Sequence, residues 1–332
     1  MRRLLACLVF VAACGNDASV VQPAPRVTSA EAGPAEAIDV VTSCTLPPDG
    51  DAALTEDLVY TTSDGQAQTI DVAVPKGTPG PHPVVLFVHG GGWSGGDKSS
   101  YHPHMKVLAS LGIATATANY RLVTDVCDAD AGPCHHNRFP AGLSDVRCAV
   151  RWLRANAARF ELDTARFGAM GDSAGGNLVS MLGTAPNMSA LDDGTCTLSG
   201  DASVSAVATF FGQEDLLDYM PTWPYLAAIA SYLGTRNWDD DPERSKLASP
   251  ITHVTPQSTP FLIVHGTEDT FIPFGHAAAM RAALARTGVP ATLVPLRGVG
   301  HGFSLLDTAP SYAPSTCTML AFFRRYLTPS AR

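Results

Sequence analysis

Gly171-Asp172-Ser173-Ala174-Gly175 joins a stretch that reads as a short buried strand, residues 165–170, to one that reads as the first turns of a helix, residues 176–182. A serine at such a junction is forced into a sharp turn, and glycines two residues to either side leave room for the chain to reverse. Its hydroxyl then stands above the sheet beside a helix N-terminus, where developing negative charge is favoured. That is the setting of a nucleophilic serine. The same spacing recurs at Gly92-Trp93-Ser94-Gly95-Gly96, but Ser94 lies in a glycine-dense loop and Asp97-Lys98-Ser99-Ser100 delays any helix. Context favours Ser173 over Ser94.

A serine hydroxyl needs a base to take its proton, and the base needs an acid to orient it. Behind a strand–turn–helix nucleophile the partners follow in the order acid, then histidine. Residues 261–264 read as a buried strand leading into His265-Gly266-Thr267-Glu268-Asp269, and residues 291–296 as the next strand, leading into Arg297-Gly298-Val299-Gly300-His301. Both loops leave the carboxyl ends of strands, where open α/β sheets place their sites. Asp269 is the expected acid, with Glu268 as its alternative, and His301 the expected base. His265 ends a strand directly and reads as a structural residue, while His253, His276 and the His135-His136 pair read as loop or surface histidines. No third ligand stands near His102 and His104, so no metal site is expected.

An acyl transfer also needs donors for the oxyanion it creates. The apolar residues 83–88 run into His89-Gly90-Gly91-Gly92-Trp93, where missing Cβ atoms let backbone approach a reacting carbonyl. The N–H groups of Gly91 and Gly92 are the expected donors, with that of Ala174 as the third. A glycine-rich loop could instead cradle a phosphate, but this one has the spacing of neither common nucleotide-binding motif. Trp93 and Trp223 are candidates for the walls of a substrate pocket.

Taken as a set, His89-Gly90-Gly91-Gly92-Trp93, Gly171-Asp172-Ser173-Ala174-Gly175-Gly176, His265-Gly266 with Asp269, and Gly300-His301 resemble the motifs of α/β-hydrolase-fold serine esterases. The resemblance is to the hormone-sensitive-lipase-like group, closest to the bacterial carbohydrate-acetyl and feruloyl esterase-like (BD-FAE-like) branch. Gly95-Gly96-Asp97-Lys98, Asn119-Tyr120-Arg121-Leu122, Phe139-Pro140 with Asp145, Ser249-Pro250-Ile251-Thr252-His253 and Asp269-Thr270-Phe271-Ile272-Pro273 agree with it. It spans about residues 57–327 in order. It implies carboxylic-ester hydrolysis through an acyl-enzyme, without a cofactor, on short-chain acyl, carbohydrate or phenolic esters. Residues 123–138, with two cysteines, depart from the pattern as a local insertion.

The elements that must hold these loops follow from periodicity. Strand-like runs fall near residues 57–62, 68–74, 83–88, 113–119, 166–170, 204–211, 261–265 and 291–296, and helical patterns near 99–110, 143–160, 173–185, 275–287 and 314–327. Adjacent early strands followed by strand–helix alternation predict a mostly parallel eight-stranded sheet with helices on both faces and no large lid domain. The long connection between residues 211 and 261 carries Tyr219, Met220, Trp223, Tyr225, Tyr232 and Trp238, aromatic or apolar side chains able to line an acyl or aryl pocket.

At 332 residues and 45% hydrophobic, the chain suffices for one large α/β domain, expected over residues 51–330. A net charge of −9 argues against nucleic acid as a partner. Arg2-Arg3, a short apolar run and Ala12-Ala13-Cys14 read as a signal peptide over residues 1–13, with Cys14 as a lipidated first mature residue. That reading makes the protein exported and held at a bacterial membrane surface through its anchor, with plain secretion the alternative. Residues 14–50, rich in Ala, Pro and Ser, read as a flexible tether. Six further cysteines, Cys44, Cys127, Cys134, Cys148, Cys196 and Cys317, allow three disulfides, of which Cys127–Cys134, across a turn-forming stretch, is the one local pairing expected. A serine peptidase or amidase of the same fold and a non-catalytic binding lipoprotein on this scaffold are the rival readings.

Overall fold

Val84, Leu86 and Val88 alternate with Val85 and Phe87, and all five are fully buried, so one strand feeds two separate apolar cores. This is what a sheet covered on both faces requires of a central strand. The computed structural model describes residues 37–63, 65–124, 136–219, 223, 225–304, 306 and 309–328. The strands are β1 (Ala52–Ser63), β2 (Gln66–Pro75), β3 (His82–Val88), β4 (Ala114–Ala118), β5 (Leu162–Asp172), β6 (Ala206–Phe210), β7 (Phe261–Gly266) and β8 (Ala291–Leu296). They form one sheet in the order β1-β2-β4-β3-β5-β6-β7-β8. β2 runs antiparallel to β1 and β4, and the six strands from β3 to β8 are parallel.

The longer helices are α1 (His102–Ala109), α2 (Ala141–Ala155), α3 (Ser173–Thr184), α6 (Phe274–Arg286) and α7 (Ala313–Leu327). Leu143, Val146, Val150 and Leu153 of α2, Leu178 and Leu182 of α3, and Met280 and Leu284 of α6 enter one core. Met105 and Leu108 of α1, with Phe322, Phe323 and Leu327 of α7, enter the other. The mostly parallel eight-stranded sheet with helices on both faces thus forms as its apolar pattern predicts. The connection from β6 to β7 holds two short helices, α4 (Leu226–Leu233) and α5 (Pro242–Leu247), with no large lid. Periodicity does not mark these two, because short helices in an aromatic-rich segment carry too few turns to show a stripe.

The expected tether over residues 14–50 needs correction at its C-terminal end. The Ile38 carbonyl accepts from Thr292 Oγ1 at 2.7 Å, the Val41 N–H donates to Thr318 Oγ1 at 3.0 Å, and Cys44 is disulfide-bonded to Cys317 of α7. Gly50 then donates its N–H to the Lys106 carbonyl of α1. The absence of a period hid this segment, which is held by a disulfide, by hydrogen bonds and by the isolated core contacts of Ile38 and Leu46. A second disulfide, Cys148–Cys196, ties α2 to the loop after α3. The Cys127–Cys134 pairing, Cys14 and the signal-peptide residues lie outside the described residues. Among the described residues no helix is long and apolar enough to cross a membrane.

Candidate active site

Ser173 opens α3 directly after β5 and takes a φ of +51°, a left-handed conformation that costs a residue with a Cβ. Two glycines allow it. A Cβ on Gly175 would overlap the Val88 carbonyl oxygen, and one on Gly171 the Gly175 carbonyl oxygen, so the turn closes backbone against backbone. The Ser173 Oγ lies 3.0 Å from His301 Nε2, and His301 Nδ1 lies 2.8 Å from Asp269 Oδ2. The structure brings these three residues together from the ends of β5, β7 and β8.

Asp269 is buried and saturated with donors. Its Oδ1 accepts the N–H groups of Phe271 and Ile272, both at 2.9 Å. Its Oδ2 faces His301 and, at 3.2 Å, the Nε2 of His265, which also reaches the Ile272 carbonyl. Burial alone would raise its pKa, but the hydrogen bonds from His265, His301 and Ile272 outweigh it and hold the carboxyl well below the usual carboxylate range. Glu268 is exposed one residue away. Ser94 is exposed too, in a turn closed by the Ser94 and Gly95 N–H groups on the Gly91 carbonyl, and hydrogen-bonds to no histidine among the described residues.

Among the described residues no hydrogen bond engages the N–H groups of Gly91 and Gly92, and Ala174 N–H belongs to the first turn of α3, which has no intrahelical acceptor. The glycine loop is pinned from several sides. Gly90 N–H donates to Asp172 Oδ1 at 3.1 Å, and Tyr101 Oη donates to the same oxygen, so the residue before the nucleophile clamps the loop opposite it. Tyr120 Oη donates to the His89 carbonyl at 2.9 Å while its ring stacks on the His89 imidazole. Asn119 Oδ1 accepts the Lys98 N–H, and Lys98 Nζ reaches Asp71 at 2.7 Å and Asp57 at 2.9 Å. Arg121 pairs in two-pronged fashion with Asp145 of α2, both bonds 2.8 Å. The motif residues around 95–98, 119–122 and 145 are therefore supports of the site. Asp172 and Tyr101 escaped sequence reading because their contacts with the glycine loop join positions remote in the chain.

The pocket candidates fare differently. Trp93, at a φ of +57°, turns its ring inward, where it is 1% exposed and stacks on Tyr232 at 4.0 Å between centroids. It is core rather than pocket wall, because the left-handed backbone reverses the side-chain direction. Trp223 is half-buried against the core. The rings facing His301 are Phe211, at 4.7 Å, and Phe271, at 5.4 Å and 44% exposed. Away from the site, Glu56, Asp71 and His102 bring ligand-type atoms within 4.8 Å of one another, partners that the fold supplies and sequence spacing did not. Lys98 Nζ already supplies a positive charge to that cluster.

Residues 70–284 match the family model described as BD-FAE. The chain belongs to the BD-FAE family. That match stops short of β8 and His301. Esterase LipC of Mycobacterium tuberculosis (strain ATCC 25618 / H37Rv) is 33% identical over 259 residues, covering 74% of this chain and 59% of LipC. The chain spans about three fifths of the length of the first curated relatives it matches. Among solved structures, a truncated carbohydrate esterase from gut microbiota superposes with a TM-score of 0.70 at 23% identity, over 85% of this chain and 99% of that one. Esterase 2 of Thermogutta terrifontis superposes in its butyrate-bound and sarin-phosphonylated forms with TM-scores of 0.65 and 0.67, each at 25% identity over 86% of this chain and 97% and 99% of the other. The fold is that of the α/β-hydrolases.

One buried acid near the site is not part of the serine–histidine–aspartate relay. Glu214, in the loop after β6, is fully enclosed, and among the described residues it meets no cation and its Oε1 accepts only from Ser180 Oγ and Thr209 Oγ1. Burial pushes its carboxyl up to about 7, the two hydroxyls offsetting only part. The folded protein then holds a proton that the unfolded chain releases near pH 4.5, so stability is greatest below that pH and falls until about pH 7. The loss amounts to roughly 3 kcal/mol. Glu214→Gln is expected to match the native protein in urea denaturation at pH 4 and exceed it at pH 8 by up to that amount. Parallel pH profiles for the two proteins would show that Glu214 titrates at the same pH in the folded and unfolded protein.

Proposed function

We propose that this protein is a serine carboxylic-ester hydrolase working through an acyl-enzyme. The observation carrying this is the unbroken hydrogen-bond relay from Ser173 Oγ through His301 to Asp269, set opposite free loop N–H groups. Ser173 Oγ attacks the ester carbonyl as His301 Nε2 takes its proton and Asp269 holds the imidazole in the productive tautomer. The carbonyl electron pair moves onto oxygen, which the N–H groups of Gly91, Gly92 and Ala174 receive, each such donor being worth ~10²–10³ in rate. His301 then protonates the departing alcohol, and water activated by the same imidazole releases the acid. No cofactor takes part in this scheme.

The esterase relatives LipC and the Thermogutta enzyme support the ester as substrate, and the butyrate seated in the latter supports a short acyl group. Family membership and the gut carbohydrate esterase support acyl groups on carbohydrates or phenolics. Two disulfides among the described residues support an oxidising compartment outside the cytoplasm, and the N-terminal residues support export with a lipid anchor at Cys14.

Turnover of p-nitrophenyl acetate, p-nitrophenyl butyrate, acetylated xylan and methyl ferulate, measured beside an aminoacyl p-nitroanilide, tests the reading. Ester turnover far above anilide turnover, together with a fluorophosphonate adduct on Ser173, is the expected result. Preference for the anilide would make the protein a peptidase, and no adduct with no turnover would make it a binding protein.

A further inference from the structure

Two polar side chains beside the nucleophile have no place in the acyl-enzyme scheme, and a catalytic role for them rests on the serine-esterase reading. Tyr225 stands immediately before α4, in the β6–β7 connection. Its hydroxyl lies so close over Gly92 that a Cβ there would come within 2.7 Å of it. Its ring is set between Trp93, at 6.5 Å, and Phe271, at 6.1 Å, the latter also flanking His301. Ser173 and the Gln213 amide lie near that hydroxyl without closing a hydrogen bond to it, and partly offset the burial that raises its pKa. Gln213 is fully buried, its carbonyl fixed by Asn177 of α3 at 2.8 Å, yet neither atom of its amide group has a hydrogen-bond partner. A buried amide left so costs on the order of 1–3 kcal/mol, a cost natural sites tolerate where a ligand or reacting group completes the set.

The Tyr225 hydroxyl thus stands over the backbone of Gly92, the loop residue expected to receive the oxygen of an attacked carbonyl. We propose that Tyr225 is a further catalytic donor, its hydroxyl hydrogen-bonding the oxyanion of the tetrahedral intermediate, with Gln213 as the residue that positions it. When the Ser173 Oγ–carbon bond forms, the π pair passes to the carbonyl oxygen and the serine proton to His301. Tyr225 shares its own proton with that oxygen and retains it when the carbonyl reforms. The phenol stays protonated across neutral pH, so the donor is present throughout the working range.

Tyr225→Phe removes one oxygen and keeps the ring contacts. It is expected to lower kcat for p-nitrophenyl acetate by about 10²-fold with KM within about twofold, and to weaken inhibition by a short-chain trifluoromethyl ketone in parallel. The ketone adds to Ser173 as a charged hemiketal, so a purely structural tyrosine would leave the two losses unmatched. Gln213→Leu is expected to give a smaller kcat loss, and the double variant to be no worse than Tyr225→Phe, as coupled residues behave. Should Tyr225→Phe unfold, trifluorotyrosine at position 225 keeps the shape and lowers the phenol pKa, and kcat is then expected to fall as that phenol ionises. An unchanged kcat, a loss confined to KM, or losses at 213 and 225 that add would overturn the assignment. If Ser173→Ala abolishes turnover while Tyr225→Phe is fully active, only this inference fails. If Ser173→Ala remains active, the reading beneath it fails first.

Discussion

Ser173→Ala reduces ester hydrolysis by on the order of 10⁶-fold, about 8 kcal/mol of barrier, while Ser94→Ala leaves most of it. The two serines share a local motif and differ in everything around it. Ser173 is turned into a left-handed φ with its Oγ 3.0 Å from His301, whereas Ser94 is exposed in a loop turn. Loss of the nucleophile leaves the glycine loop and the Ala174 N–H intact, so a residue of about 10³–10⁴ over the uncatalysed rate should persist in the alanine variant. Steady-state rates with p-nitrophenyl butyrate, read beside thermal denaturation to show an unaltered fold, provide the check. Retained activity in Ser173→Ala, or its loss in Ser94→Ala, would reverse the assignment of the nucleophile.

Asp269→Asn costs about 10⁴-fold in kcat with little change in KM. The reason lies in how the carboxylate is held. Its Oδ1 accepts two backbone N–H groups, from Phe271 and Ile272, so an asparagine must keep its carbonyl oxygen there. Its amide NH₂ is then turned toward His301 Nδ1, which must accept rather than donate. The imidazole proton moves to Nε2, facing the serine, and the base has become a donor. The same NH₂ meets His265 Nε2, whose proton goes to the Ile272 carbonyl, so the variant also loses a bond on that side. Titration of kcat between pH 6 and 9 is the measurement, and a variant within tenfold of the native rate across that range would refute the acid's role.

Much of this was legible because function at the sheet edge restricts residue type. Residues 261–264 and 291–296 announce strands by their mostly apolar character, and an acid or a histidine in the loops beyond them has few other reasons to be there. The strand reading near 204–211 matches β6, a run buried throughout, and the helix reading near 314–327 matches α7. What stayed hidden depends on contacts between remote positions. Cys44 and Cys317 lie 273 residues apart, and no local signal pairs them. Asp172 works by reaching Gly90 across 82 residues, and Trp93 is sent into the core by one backbone angle. Tyr225 was visible only as one aromatic among several, since composition does not tell which ring faces the nucleophile.

The bond between Cys44 and Cys317 also decides how the molecule bears load. A pull applied upstream of residue 44 and downstream of residue 317 passes from sulfur to sulfur and never enters the polypeptide between them. The sheet, the strained serine turn and every loop of the relay lie inside that closed ring. Stretching such a chain would therefore first peel away the segments outside the ring, residues 37–43 and the 318–327 part of α7 with its core side chains, and would load the sheet only after the bridge is reduced.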